Sequence, residues 1–206
     1  VAVVTESHLK PKHIDTAVSI DGYQLFRRDR KGRKAGGVAI YVRRSACTSA
    51  AEWPIRDLLP VYELLWVRIT RGDEVTYVGA LYHPPKPRYA APDLVAIIEA
   101  SIIRIQHECA KCHIILAGDF NTLPAQEVVI ATGLTPIVSQ PTRGNSHLDH
   151  IFVSDLQYTG VKVVKSAVTT DHQAIIAYSG DAKKTFVKTR RICHFRKHTA
   201  AQHAHF

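Results

Sequence analysis

The chain predicts an α/β fold in which two β-sheets stack on each other with helices outside, and three observations lead there. Segments with strand pattern outnumber helical ones, tight hairpins alternate with longer crossovers, and one long amphipathic stretch runs straight into a buried apolar strand. With 206 residues and 46% hydrophobic content, one substantial core can be buried, so a single domain is expected over residues 1–180. Residues 183–197 carry many cations and little periodic apolar content, and the end is rich in His, so 181–206 reads as a linker or tail.

Taken in order, residues 1–4 form an apolar run expected to be a buried strand, which gives way to polar groups at Thr5-Glu6-Ser7-His8. Residues 23–28 and 37–42 look like paired strands around the basic connection Arg30-Lys31-Gly32-Arg33-Lys34. Residues 62–70 and 74–81, joined through Arg71-Gly72-Asp73, read as a β-hairpin. Pro84-Pro85-Lys86-Pro87 forbids regular pairing and marks a loop. From Asp93, a good N-cap, Leu94, Ile97, Ile98, Ile102, Ile105 and Cys109 recur at helical spacing. Residues 124–132 predict a short helix, with Pro124 near its first turn and Gly133 past its end. Strands return at 148–153, 161–165 and 173–178.

Twenty-seven Lys and Arg against 18 Asp and Glu give a formal charge of +9, a field that attracts polyanions such as nucleic acid. No apolar run is long enough to cross a bilayer and no secretion-signal pattern opens the chain, so an intracellular setting, nuclear or cytoplasmic, with no membrane partner is expected. Four cysteines in a chain of this length do not make a disulfide scaffold, and reduced thiols are expected. The chain has no Met and opens on Val1 inside an apolar run, so it reads as an excerpt of something longer.

The most informative segment is His113-Ile114-Ile115-Leu116-Ala117-Gly118-Asp119-Phe120-Asn121, an apolar strand that stops at two polar groups. Alternation along an extended chain would send Asp119 and Asn121 to one side and Phe120 to the core. His147-Leu148-Asp149-His150 and Thr169-Thr170-Asp171-His172 repeat the pattern of acid and imidazole beside an apolar strand. Phosphodiester hydrolysis needs a metal to neutralise the phosphate, a polarised water and groups for the developing charge. Glu6 offers a hard oxygen ligand for Mg²⁺, Asp119 can orient or deprotonate water, and Asn121 can hold that water or the phosphate. His172 can donate to a phosphate oxygen, with Asp149 and Asp171 both available to hold it charged.

Thr5-Glu6-Ser7-His8-Leu9, Gly36-Gly37-Val38-Ala39-Ile40-Tyr41-Val42, Leu81-Tyr82-His83-Pro84-Pro85, Gly118-Asp119-Phe120-Asn121, Leu148-Asp149-His150-Ile151-Phe152-Val153-Ser154 and Thr170-Asp171-His172 together resemble the endonuclease/exonuclease/phosphatase superfamily. More narrowly, the set is similar to the apurinic-type endonuclease domain of non-LTR retrotransposons, over residues 1 to about 178. The resemblance implies a four-layer α/β/β/α sandwich: two mixed, mostly antiparallel sheets flanked by helices, here without the family's first strand and helix. It further implies Mg²⁺-dependent nicking of DNA, with Mn²⁺ as a substitute, leaving a 3′ hydroxyl that primes reverse transcription. A monomeric domain, with a reverse transcriptase following in the same polyprotein, is the accompanying expectation. Carried over, Glu6 matches the metal-binding glutamate, Asp119 and Asn121 the pair that positions water and phosphate, and Tyr82 a tyrosine near the scissile phosphate. Asp149 matches the aspartate that orients the catalytic histidine His172, and Asp171 a neighbour given a metal or an orienting role. The strand the family carries ahead of Glu6, bearing an Asn, has no counterpart here, and Thr170 stands where Ser is usual.

Arg143, in a loop before Asp149, is a candidate DNA contact, and Arg30, Lys31, Arg33 and Lys34 are candidate phosphate grips. Cys109-Ala110-Lys111-Cys112-His113 spells a c-type haem pattern, but Cys109 falls on the apolar stripe of a helix and there is no Met for a second axial ligand. A zinc site joining Cys109 and Cys112 to Cys193, His194 or His198 has spacing far from the usual finger. A phosphatase or other phosphodiesterase of the same fold, and a non-catalytic nucleic-acid-binding remnant, are the alternatives.

Overall fold

The computed structural model describes residues 1–179 apart from positions 57, 156 and 159, so the predicted tail and the proposed zinc partners Cys193, His194 and His198 lie outside the described residues. The chain opens with strand β1 (Ala2–Thr5), a single helical turn α1 (Asp15–Val18), and strands β2 (Tyr23–Arg28) and β3 (Val38–Arg43). Strand β3 pairs antiparallel with both others, giving a three-stranded sheet in the order β1-β3-β2.

Strands β4 (Ser49–Trp53), β5 (Glu63–Arg71) and β6 (Glu74–Tyr82) then form an antiparallel meander, with Arg71 opposite Glu74 across the two-residue turn at Gly72 and Asp73. Helix α2 (Ala91–Glu108) carries the chain back so that β7 (His113–Asp119) lies parallel to β6, a pairing that requires such a crossover. Helix α3 (Ala125–Thr132), the two-residue strand β8 (Thr135–Pro136) and β9 (Asp149–Val153) complete a six-stranded sheet, β4-β5-β6-β7-β9-β8. The last elements, β10 (Gly160–Lys165) and β11 (Gln173–Tyr178), form a separate antiparallel hairpin.

Side-chain alternation on β5 explains the layering. Leu64 and Trp66 join Leu94, Ile98, Ile102 and Ile105 of α2 in one core, while Leu65, Val67 and Ile69 join Val38, Ile40 and Val42 of β3 in another. The six-stranded sheet is thus buried on both faces, under helices on one side and under the three-stranded sheet on the other. Each such Leu, Ile or Val contributes roughly 1.5–3 kcal/mol on burial, so these two clusters hold the sheet rigid beneath whatever its strand ends carry.

The structure departs from the sequence reading in four places. Strand β1 is not the buried strand its apolar run implies: exposure alternates along it, with Val3 against the core and Val4 38% exposed on the other face. Helix α2 begins two residues before Asp93, with Pro92 in its first turn, so Asp93 faces the positive helix end instead of capping it. Cys109 ends that helix, its N–H bonded to the Ile105 carbonyl at 2.9 Å, and still packs on the core. Strand β4 has the weak strand sequence Ser-Ala-Ala-Glu-Trp and forms because β5 offers it an edge, pinned by Trp53 Nε1 donating to Glu108 Oε2 at 2.7 Å. Among the described residues no helix is long and apolar enough to cross a membrane.

Between the two smaller sheets runs a cleft of about 1170 Å³, walled by β1 on one side and β11 on the other and floored by β7 and its neighbours. Among the described residues, neither β1 nor β11 has a partner on the edge away from its own sheet.

Candidate active site

The register of the large sheet brings three strand ends to one place. Tyr82, the last residue of β6, lies beside Asp119, the last of β7, and Asp119 is opposite Asp149, the first of β9. From the smaller sheets, Glu6 follows the end of β1 and His172 immediately precedes β11. All but Tyr82 line the same cleft.

His172 Nδ1 donates to Asp149 Oδ2 at 2.8 Å, and ligand atoms of Asp119, Asp149 and His172 all lie within 4.8 Å of one another. Asp119 is 3% exposed, and both its oxygens accept from Asn121: Oδ1 from the backbone N–H at 3.0 Å and Oδ2 from Nδ2 at 2.9 Å. The second proton of Asn121 Nδ2 goes to the His83 carbonyl at 2.9 Å. Tyr82, also 3% exposed, donates its hydroxyl to Glu6 Oε1.

Backbone strain is concentrated here. Of four non-glycine residues at positive φ among the described residues, Glu6 (49°), His8 (56°) and Asn121 (42°) belong to this site or border it. Asn121 therefore reaches Asp119 by a tight turn after the strand and not by strand alternation, although Phe120 does enter the core as the alternation implied. Gly118 is fixed by crowding: a Cβ there would lie 1.8 Å from the Leu81 carbonyl oxygen.

Burial pushes the Asp119 carboxyl up to about 6, the nearby Asp149 carboxylate adds to this, and Glu6 adds a little more. The Asn121 N–H and His172 pull the other way. Burial, then the hydrogen bond to Glu6, raise the Tyr82 phenol, so it stays a neutral donor. A buried carboxyl whose ionisation is held back, with a second acid and an imidazole within 4.8 Å, forms a donor set suited to a divalent cation, whose charge relieves the repulsion between the acids.

The sequence candidates divide accordingly. Glu6, Tyr82, Asp119, Asn121, Asp149 and His172 come together. Asp171 is not grouped with them and forms an ion pair with Arg143, 62% and 47% exposed respectively. Arg30 is largely buried. It is paired with the buried Glu63 at 2.6 Å, Glu63 also accepts from the Gly37 N–H, and the guanidinium lies 5.2 Å from the Tyr82 ring centre. Arg30 also borders the same basic pocket as Lys31 and Arg33. Lys31, Arg33 and Lys34 are exposed, and the first two border a pocket of about 150 Å³ with Arg88. Sequence reasoning gives His83 no role, yet its carbonyl anchors Asn121 and its ring, 1% exposed, lies 3.0 Å from the Tyr89 hydroxyl. Its place beside Tyr82 and before two prolines is the signal that was there to find.

The model of the Endonuclease/Exonuclease/phosphatase family matches residues 1–172, and the chain belongs to that family. Its fold is similar to the endonuclease domain of TRAS1, a telomere-specific non-LTR retrotransposon, at 15% identity and a TM-score of 0.56, over 76% of this chain and 77% of that one. It is similar also to a variant of the 3′ phosphatase NExo from Neisseria bound to product DNA hairpin, at 18% identity and 0.59, over 86% and 87% of the two chains. A third likeness is to D. rerio TDP2 complexed with single strand DNA product, at 15% and 0.55, over 85% and 83%. No curated protein matches the chain in sequence. The mixed six-stranded sheet, the two smaller antiparallel sheets and the few helices match the family's α/β sandwich.

Proposed function

We propose that the chain is a divalent-metal-dependent phosphodiesterase, and most specifically a DNA-nicking endonuclease domain of a non-LTR retrotransposon. The observation that carries this is the convergence of Asp119, Asp149 and His172 from three separate strands within 4.8 Å, with Glu6 and Asn121 beside them. Glu6, Asp119 and Asp149 would hold Mg²⁺ or Mn²⁺, which supplies charge neutralisation at the phosphate.

The chain's own groups supply the rest. Asn121 occupies one lone pair on each Asp119 oxygen, which fixes the carboxylate plane and leaves the others to orient a water. Without a cation the Asp119 carboxyl is raised to about 6 and still largely ionised near neutrality, ready to take up a cation and orient a water. With Nδ1 committed to Asp149, His172 has Nε2 left to donate to a phosphate oxygen. Lys31, Arg33 and Arg88 give the neighbouring surface a positive charge that a nucleic-acid backbone would meet. DNA as substrate is supported by the DNA-bound similar structures, while the 3′ phosphatase likeness keeps a phosphatase of the same fold as the second reading. A reverse transcriptase in the same polyprotein, an intracellular setting and a monomeric domain go with the first.

Supercoiled plasmid with Mg²⁺ tests the reading, with and without chelator. Mg²⁺-dependent conversion to nicked circles supports it, and release of phosphate from a 3′-phosphorylated oligonucleotide instead supports the second. Retention on a DNA column without either reaction identifies a binding remnant. The assay is run in parallel on a chain extended upstream of Val1, because among the described residues the outer edges of β1 and β11 are unpaired and open to a further strand.

A further inference from the structure

Thr142 is fully enclosed, at 0% exposure, and its hydroxyl has no part in the chemistry above. Its surroundings tie it to the strands that supply the site. Its Oγ1 accepts from the backbone N–H of Leu148 at 3.2 Å and of Asp149 at 3.1 Å, using both acceptor positions of a hydroxyl. Its carbonyl accepts from the N–H of Gln173 at 2.7 Å, the residue directly after His172. The Leu148 carbonyl in turn accepts from the Phe120 N–H at 2.8 Å, directly after Asp119. Outside this knot the Arg143–Asp171 ion pair closes the same loop onto the residue before His172.

We propose that Thr142 is a positioning residue that sets Asp149 and the start of β11 in mutual register, so that the Asp149–His172 hydrogen bond forms, with Arg143 and Asp171 as its outer clasp. Asp149 and His172 belong to different sheets, and among the described residues no β-ladder joins β9 to β11. Their separation is therefore fixed by whatever bridges the two strands. One buried residue bonded on one side to Asp149 and on the other to Gln173 is such a bridge. A bond of 2.8 Å does not survive a shift of an ångström. The significance of this for catalysis rests on the phosphodiesterase reading; the geometry itself does not.

The test compares the full chain with Thr142→Val, which keeps the shape and removes the acceptor, and Thr142→Ser, which keeps the acceptor. In Thr142→Val the NMR signal of the His172 Nδ1 proton is expected to shift or vanish, while Thr142→Ser retains it. If the wild type nicks plasmid, kcat falls on the order of 10²-fold in Thr142→Val with KM for DNA within about twofold, and Thr142→Ser recovers kcat. A folded Thr142→Val with an unchanged His172 signal overturns the proposal. If the wild type shows no nicking, the functional reading fails while the His172 signal still decides the role of Thr142. Should Thr142→Val not fold, hydrogen exchange in the wild type serves: slow exchange at Leu148, Asp149 and Gln173 supports the knot, and rapid exchange at these amides overturns it.

Discussion

Strand β7 carries a histidine–aspartate pair near each of its ends, and the two pairs differ in what surrounds them. At the C-terminal end His172 bonds Asp149 at 2.8 Å, and at the N-terminal end His113 bonds Asp155 at 2.6 Å. Both ends line the same cleft. The first pair has a further buried acid beside it, Asp119, whose ionisation is suppressed; strained backbone at Glu6 and Asn121 holds the remaining groups in place. Among the described residues the second pair has no third acid or imidazole grouped with it. Burial works against ionisation of Asp155, but the hydrogen bond from His113 and the N–H of Gln157 outweigh it and hold the carboxyl below its ordinary value. One end stores unfavourable charge and the other satisfies it. A histidine–aspartate pair is a common structural fastener, and the extra buried acid with suppressed ionisation is what marks the C-terminal end as the candidate reactive one.

The sharpest way to break this contrast is to remove each imidazole in turn. His172→Ala is expected to reduce nicking by about 10²- to 10⁴-fold, the range for loss of a positioned acid–base group. His113→Ala should leave the rate per folded molecule within about threefold. Equal losses in the two variants, measured on plasmid at saturating Mg²⁺, would erase the distinction between the ends.

Asp119→Asn sharpens it through stability. The Asp119 carboxyl is raised from 3.8 to about 6, so between those values the folded chain keeps a proton that the unfolded chain releases, and stability falls as pH rises. The cost is absent below pH 3.8 and complete above about pH 6. Two pH units correspond to about 3 kcal/mol, and an asparagine loses one of the two bonds from Asn121, worth about 1 kcal/mol. The first effect wins. In chelator at about pH 8 the variant should melt several degrees above the wild type, the gap closing in acid and on addition of Mg²⁺ to the wild type. A Tm that is lowered in chelator at that pH would show that Asp119 is not under electrostatic stress.

Much of this site was legible in the sequence because its chemistry sits at abrupt ends of apolar runs. Glu6, Asp119, Asp149 and His172 each follow or precede such a run, and the runs themselves became β1, β7, β9 and β11. The hairpin of β5 and β6, helix α3 with Gly133 at φ 68°, and the long helix were legible for the same reason, since local pattern and tertiary packing agree there. Strand β4 and the two-residue β8 were not, because their own sequences carry no strand pattern and only a neighbouring edge makes them strands. The ion pairs of Arg30 and Asp171 were not legible because charges in sequence give no sign of the partners, Glu63 and Arg143, that the fold brings to them. Thr142 was invisible for a like reason: a threonine in a loop becomes a bridge only when two strands, β9 and β11, close around it.

The smallest expected effect is at the stabilising end. Asp155 is held below 3.8, so the stability it contributes is present above its unfolded value and is lost as pH falls through its folded one, the opposite sign to Asp119. The pair is about a third exposed on each side, which limits its worth to about 1 kcal/mol or less. Asp155→Asn should therefore lower Tm by no more than a few degrees near neutral pH and leave it unchanged in strong acid. Melting curves of Asp119→Asn and Asp155→Asn taken together across pH would then diverge above pH 3.8, one rising above the wild type and the other falling below it. If both curves moved in the same direction, the two ends of β7 would not differ in the way their surroundings require.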